Sequence, residues 1–246
     1  MLVKLKLINF LRYIIKLIGV LIANYGIKIK NPLQISNYLI LFLLNVVEYK
    51  KKYKKSSSQL VKKFPINIKS IIPIVSDIKA QSGSASGVYF FQDIWAANRI
   101  FLDRPKKHMD IGSRIDGFVS HLLVFMPVKV IDIRPLISKH PNLTFLQSDA
   151  TNLSEIENNS IASLSTLHAA EHFGLGRYGD NIDPNGTFVF IENLIRVLKP
   201  GGKLYFSVPI GKEKLIFNAN RVFSPYTILD AFNELTLLEF SAIEKK

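Results

Sequence analysis

The chain has 246 residues and a formal charge of +13, with 48% hydrophobic and 11% aromatic residues and no cysteine. That length and apolar content suffice for one sizeable domain plus an appendage, and the lack of cysteine excludes disulfides and thiolate chemistry. The charge is uneven: residues 1–63 carry 13 Lys/Arg against one acid, Glu48, whereas residues 64–246 carry 19 against 18, so the body is nearly neutral and a nucleic-acid-binding face on it is not indicated.

Residues 1–63 read as a basic, apolar helical arm. The first uncharged run, Leu17 to Ile27, has 11 residues and is too short to span a bilayer as a helix. The second, Asn31 to Val47, has 17 and lies at the lower edge of spanning length. Gly26 and Pro32 punctuate the junction, so two helices or a re-entrant hairpin fit. A signal peptide fits poorly, because no small-residue cleavage site follows the first run. The polybasic EYKKKYKK that follows is drawn to an anionic cytoplasmic leaflet. The arm is therefore expected to hold the protein peripherally at the inner face of the membrane, in the cytoplasm. Docking of these helices on the body and a true span by residues 31–47 are the alternatives. The SSS after the lysines and the composition shift near Phe64 mark a linker, giving an arm of 1–63 and a domain of 64–246.

From Phe90 the pattern alternates. FFQDIWAANRIFL is an amphipathic helix, KHMDIGS a short strand running into a glycine turn, and IDGFVSHLLVF a helix. VKVIDIRP and NLTFLQSDAT are strands that end near acids, and SIASLSTLHAAEH is a strand with polar residues at its end. GTFVFIENLIRVL is a helix stopped by Lys199-Pro200-Gly201-Gly202, and KLYFSVPI is the next strand. SPYTILDAFNEL is a helix with a serine N-cap and proline in its first turn, and LTLLEFSAI is expected to be a last strand. Strands alternating with helices predict a mostly parallel, doubly wound α/β sheet covered on both faces, with ligands at the carboxyl ends of the strands.

DIGSRIDGF, VIDIRP, SDATNL, STLHAAEH and LKPGGKLYFSVP, in this order, resemble the successive motifs of class I S-adenosylmethionine-dependent methyltransferases, a Rossmann-like fold. More narrowly, DIGSRIDGF with EHFGLGRYGD is similar to a family of unknown function with a methyltransferase-like fold. The resemblance covers about residues 65–243. It implies that the loop with Asp110, Gly112 and Gly117 holds the methionine end of S-adenosylmethionine. In that loop Asp110 orders the turn and Gly117 relieves crowding between helix and ligand. It also implies that Asp132 accepts hydrogen bonds from the ribose and that Asp149 lies beside the adenine amine. Ser113-Arg114-Ile115 departs from the denser glycine pattern of methyltransferases. A full sheet of this type needs one more antiparallel strand than the pattern supplies, so the last strand is expected to be missing.

HAAEHFGLGRYGD, residues 168–180, matches the H-x-x-E-H signature of one class of zinc peptidases. Zinc would need both histidines on one face of a sustained helix. Gly174, Gly176 and Gly179 instead argue for a loop, so no metal is expected. As the loop after the fourth strand, it is the usual acceptor side of the resembling fold. His168 is the candidate general base, because imidazole changes charge near physiological pH. Glu171 and His172 resemble the Glu-His pair of small-molecule methyltransferases, and the resemblance implies that they bind the acceptor. Arg177 and Asp180 could bind a polar acceptor, with Asn218 and Arg221 of FNANRVFS closing over it. The expected function is methyl transfer from S-adenosylmethionine to a small polar acceptor such as a sugar or glycan intermediate. A catalytically silent Rossmann-like binding module is the alternative, and a zinc hydrolase the third reading.

Overall fold

The computed structural model describes residues 32–74 and 82–244 and divides the chain into two compact units, Met1–Ser84 and Ala85–Lys246. The apolar run from Leu17 to Ile27, with Gly26, lies outside the described residues. The composition break near residue 63 falls inside the first unit.

In the first unit, α1 (Pro32–Lys55) joins the second apolar run and the polybasic cluster in one 24-residue helix. Proline at its first position suits a helix start, and Lys52, Lys54 and Lys55 in the last turn complement the helix dipole. Glu48, the lone acid, pairs with Lys52 one turn on at 2.7 Å. Among the described residues no helix is long and apolar enough to cross a membrane. The three serines interrupt the helix, and Ser58 Oγ then caps a single turn, Gln59–Lys62, by accepting from the Val61 amide.

The second unit opens with α2 (Val88–Asp103), whose buried residues Gln92, Asp93, Ala96, Ala97 and Ile100 recur at helical spacing. Then come β1 (His108–Ile111), a π turn (Ile115–Val119) running into α3 (Ser120–Leu123), β2 (Val128–Asp132), β3 (Leu143–Gln147) and β4 (Ile161–Leu167). They are followed by α4 (Gly186–Val197), β5 (Leu198–Ser207), a small antiparallel hairpin β6 (Lys214–Ile216) and β7 (Asn220–Val222), and α5 (Pro225–Ala231). Ser224 Oγ caps α5 by accepting from the Tyr226 amide.

The main sheet has five parallel strands in the order β3-β2-β1-β4-β5. This is the doubly wound, Rossmann-like arrangement. Strand alternation sends residues to two cores. Ile111, Ile131 and Leu164 meet Phe190 and Leu194 of α4 on one side, while Val128, Val130 and Leu167 meet Ala96, Ile100, Phe118 and Leu122 on the other. Both faces are thus covered. The order reverses beside β1, between β1 and β4, and that switch point opens a crevice at the strands' carboxyl ends.

Two local expectations differ from the structure. The strand β5 starts directly at Leu198, and a register slip opposite Ile161 and Ser163 absorbs Pro200-Gly201-Gly202. LTLLEFSAI is not a strand: residues 236–244 are irregular, with Leu237, Leu238 and Phe240 exposed. Its anchor is instead a bidentate ion pair between Glu239 and the Arg99 guanidinium, at 2.7 and 2.8 Å. Apolar alternation signals strand tendency only where a partner edge is taken up, and here the sheet ends at β5.

Candidate functional site

Beneath the crevice lies a buried polar chain that joins β1 to β4. Asp110 is fully buried and accepts from Ser113 Oγ at 2.6 Å, the Ser113 amide at 3.1 Å and Ser165 Oγ at 2.5 Å. His108 bridges Ser165 Oγ through Nε2 at 2.8 Å and Ser163 Oγ through Nδ1 at 2.7 Å. Because Ser165 gives its proton to Asp110, His108 donates from Nε2 and accepts from Ser163 at Nδ1. The tautomer follows from the chain of donors. Burial pushes the His108 ring down to about 3 and raises Asp110 to about 6, the latter opposed by its serine donors. Ser113 Oγ also accepts from the Leu167 amide at 2.9 Å, so one serine ties the loop after β1 to the end of β4.

That loop makes the floor of the crevice. Gly112 has φ +71°, and a Cβ there would come 2.9 Å from the Cβ of Ala169. Only glycine allows the β1 and β4 ends to approach so closely. Gly117 has a different role from the one expected: a side chain there would overlap Asp93 Oδ2, so it makes room for a buried carboxylate of α2, not for a ligand. Burial raises the Asp93 carboxyl above its ordinary value. Asp110 likewise orders the loop from beneath and is too buried to touch a ligand.

Above the floor is an open cleft of about 500 Å³, with a smaller branch running under Asp149. A cleft of this size accommodates a cofactor-sized ligand. Six residues, Gly112, Asp132, Arg134, His168, His172 and Tyr178, line both parts. Asp132 ends β2 and is held by Arg134: Oδ1 accepts from the Arg134 amide at 2.8 Å and from Nε at 3.0 Å, and Oδ2 accepts from Nη2 at 2.6 Å. Asp149 uses Oδ1 for the Thr151 amide and hydroxyl at 2.9 and 2.8 Å. Asp180 accepts from the Gly176 and Tyr178 amides, fixing the glycine-rich loop.

His168 sits at the end of β4 with φ +52°, a left-handed conformation uncommon outside glycine. Its amide donates to the Ser207 carbonyl at 3.0 Å, and its Nδ1 contacts Glu171 Oε1 at 2.9 Å. With Glu171 accepting, Nδ1 carries the ring proton and Nε2 is the basic nitrogen. Glu171 is 2% exposed, and its Oε2 is buried without a partner. It therefore orients His168 from behind, and not from among the acceptor ligands where the sequence reading places it. His172 donates from Nδ1 to the Ala219 carbonyl at 2.5 Å, which leaves Nε2 as its acceptor nitrogen too.

Three further expected acceptor ligands fall outside the cleft lining. Arg177 donates to the Ala219 carbonyl. Arg221 is spent on the Phe173 carbonyl at 2.6 Å and Thr187 Oγ1 at 2.9 Å, clamping the loop to α4. Asn218 stands at the exposed turn of the β6–β7 hairpin with φ +57°. Conversely, Tyr89, Tyr178 and Arg134 line the cleft without having been singled out from sequence. Arg134 and Tyr178 lie inside motifs already noticed, VIDIRP and GRYGD. Tyr89 comes from α2, remote in sequence, and has no local signal. As for metal, Ala170–His172 is a single 3₁₀ turn, and among the described residues no group of three or more His, Asp or Glu side chains could hold an ion.

Residues 145–240 match the model of a family described as Caenorhabditis protein of unknown function, DUF268. The match includes EHFGLGRYGD but not DIGSRIDGF. No curated protein matches. Solved structures similar to this chain include Burkholderia thailandensis 1,6-didemethyltoxoflavin-N1-methyltransferase with S-adenosylhomocysteine bound, at 14% identity and TM-score 0.43, covering 58% of this chain and 66% of that one. Another is Haemonchus contortus phosphoethanolamine N-methyltransferase 2 with S-adenosyl-L-methionine, at 18% identity and TM-score 0.45, covering 59% and 36%. The cyclase SpnF is a third, at 14% identity and TM-score 0.47, covering 62% and 61%. The likeness is one of fold. The strand order and the crevice at its reversal define the second unit as a doubly wound Rossmann-like domain.

Proposed function

We propose that the cleft binds S-adenosylmethionine and that the protein transfers its methyl group to a small polar acceptor, a sugar or glycan intermediate among the candidates. The observation that carries this reading is the convergence of Gly112, Asp132, Asp149 and His168, from four successive strand ends, on one cleft at the switch point. Gly112 lets the ends of β1 and β4 close up as the floor on which a ligand would rest, Asp132 offers a carboxylate to a ribose diol, and Asp149 stands at the adenine end. Bound there, the cofactor supplies an electrophilic methyl group on a sulfonium. His168 Nε2 takes the acceptor's hydroxyl proton as the acceptor oxygen becomes nucleophilic, and Glu171 keeps the imidazole in the required tautomer. The protein should bind S-adenosylhomocysteine with or without an acceptor. His168→Ala should keep that binding yet lose labelled product when methyl-labelled cofactor is incubated with polar small molecules. Retained turnover in His168→Ala would remove the base from the mechanism.

A silent binding module is the second reading, and the Arg134–Asp132 pair favours it, because it occupies the carboxylate a ribose would use.

We further propose that the first unit attaches the protein to an anionic membrane surface. Residues 32–74 hold eight lysines against Glu48 alone, a net +7. Leu41, Leu43, Leu44 and Val47 of α1 are exposed, and Lys50, Lys51, Lys52, Lys54 and Lys55 follow on the same helix. Apolar and basic residues are segregated along α1 more than around it. That pattern suits shallow insertion of the apolar end with lysines at the headgroups.

A further inference from the structure

Two arginine–tyrosine–histidine stacks line the cleft. Arg114 lies 5.1 Å over the ring of Tyr89, which meets His168 edge-on at 5.4 Å. Arg134 lies 4.6 Å over Tyr178, which meets His172 edge-on at 5.5 Å. All six residues line the same space. The two guanidiniums are neutralised unequally. Arg114 makes one loose ion pair, to the exposed Asp116 at 3.4 Å, and lies within electrostatic reach of the buried Asp93, whereas Arg134 grips Asp132 at 2.6 and 3.0 Å.

The Asp132 carboxylate has about four acceptor positions, and three are taken, one by the Arg134 amide and two by its side chain. A ribose diol needs two. One position is free and the backbone bond is fixed by the turn after β2, so Arg134 must release at least one of its two side-chain bonds. Resting on the cofactor reading above, we infer that the acceptor carries a compact anionic group, a carboxylate or a phosphate, and that Arg134 is its ligand once the cofactor has claimed Asp132. A released Arg134 remains beside Tyr178 at the cleft, across which Arg114 stands with its loose pair to Asp116. Two guanidiniums on a wall of flat rings, one of them released from a carboxylate, match a small polar anion. They match an uncharged sugar poorly, because nothing would replace the ion pair given up by Arg134.

Cofactor and anion should then bind with positive coupling, each favouring the arrangement in which Arg134 has left Asp132. The test is calorimetric titration of the full chain with S-adenosylhomocysteine, with inorganic phosphate as the anion probe and chloride of equal ionic strength as its control. Arg134→Ala removes a competitor and should tighten S-adenosylhomocysteine by roughly two- to fivefold, the worth of a half-exposed ion pair. Millimolar phosphate should tighten it in the unaltered protein and not in Arg134→Ala. Weaker or unchanged binding in Arg134→Ala overturns the inference while leaving the cofactor reading intact. A phosphate effect equal to that of chloride removes the anionic acceptor. An absence of S-adenosylhomocysteine binding to both proteins ends the cofactor reading itself, and this inference with it.

Discussion

The second unit and residues 32–74 solve opposite problems with similar apolar content. In the second unit apolar residues alternate or recur by strand and helix period, so they vanish into two cores, and Phe190, Leu194, Ile131 and Leu164 are essentially inaccessible. In residues 32–74 most stay on the surface, although Ile40 is buried: Leu60, Phe64, Ile68, Ile72 and Ile74 are all more than 60% exposed, interleaved with lysines. Periodicity, more than hydrophobicity, decides whether a segment builds its own core. Apolar surface left exposed beside uniform positive charge is the surface that the proposed membrane attachment would use.

The sharpest way to break this contrast is at Gly174, with φ +76° and no room for a Cβ against the Asp183 carbonyl. Gly174→Ala should cost the second unit about 3 kcal/mol or more, read as a lowered urea midpoint. A near-neutral result would mean that the loop holding His168, Glu171 and His172 is not anchored as described. Next in size is the replacement of Lys50, Lys51, Lys52, Lys54 and Lys55 by Gln. Sedimentation with anionic vesicles should fall by about tenfold or more, with neutral vesicles little affected, and raising salt should mimic the change. Binding that ignores both charge and salt would place the first unit on some other partner.

A smaller effect comes from the buried chain. His108, pushed down to about 3 from 6.5, gives stability that is fully present above pH 6.5 and lost as pH falls. Asp110, raised to about 6 from 3.8, acts with the opposite sign, since the folded state holds the extra proton between those values and gains on acidification. Between pH 6 and 4 the two slopes oppose. Asp110→Asn should therefore steepen the acid loss by about 1 kcal/mol per pH unit relative to the unaltered protein, measured by denaturant titration across that window. An unchanged slope would show that the two groups do not titrate as their burial implies. Smallest of all, Phe64→Ala in the first unit should shift unfolding by less than about 0.5 kcal/mol, because that ring is 74% exposed.

The strand–helix alternation was legible because both faces of the sheet are covered, which makes strands such as VKVID and helices such as the one at 186–197 consistently periodic. LTLLEFSAI carried the same alternation without a free partner, and the sequence has no mark for that. In the site, residue type revealed which groups carry chemistry but not which way they point. Asp132, Asp149, His168 and His172 do reach the cleft. Asp110 and Glu171 lie behind it, where their carboxylates hold Ser113 and His168, and Arg221 is consumed by the carbonyl of Phe173. Tyr89 was invisible because its contact with His168 exists only after α2 has packed.

The central claim is that strand-end residues of the second unit form a cofactor pocket. Calorimetric titration of the purified full chain with S-adenosylhomocysteine tests it most directly. The account predicts saturable binding in the micromolar range, roughly −8 kcal/mol, weakened by about tenfold or more in Asp132→Ala through loss of charge-assisted hydrogen bonds to the ribose. Flat titrations at millimolar ligand, or equal affinity in Asp132→Ala, would contradict it.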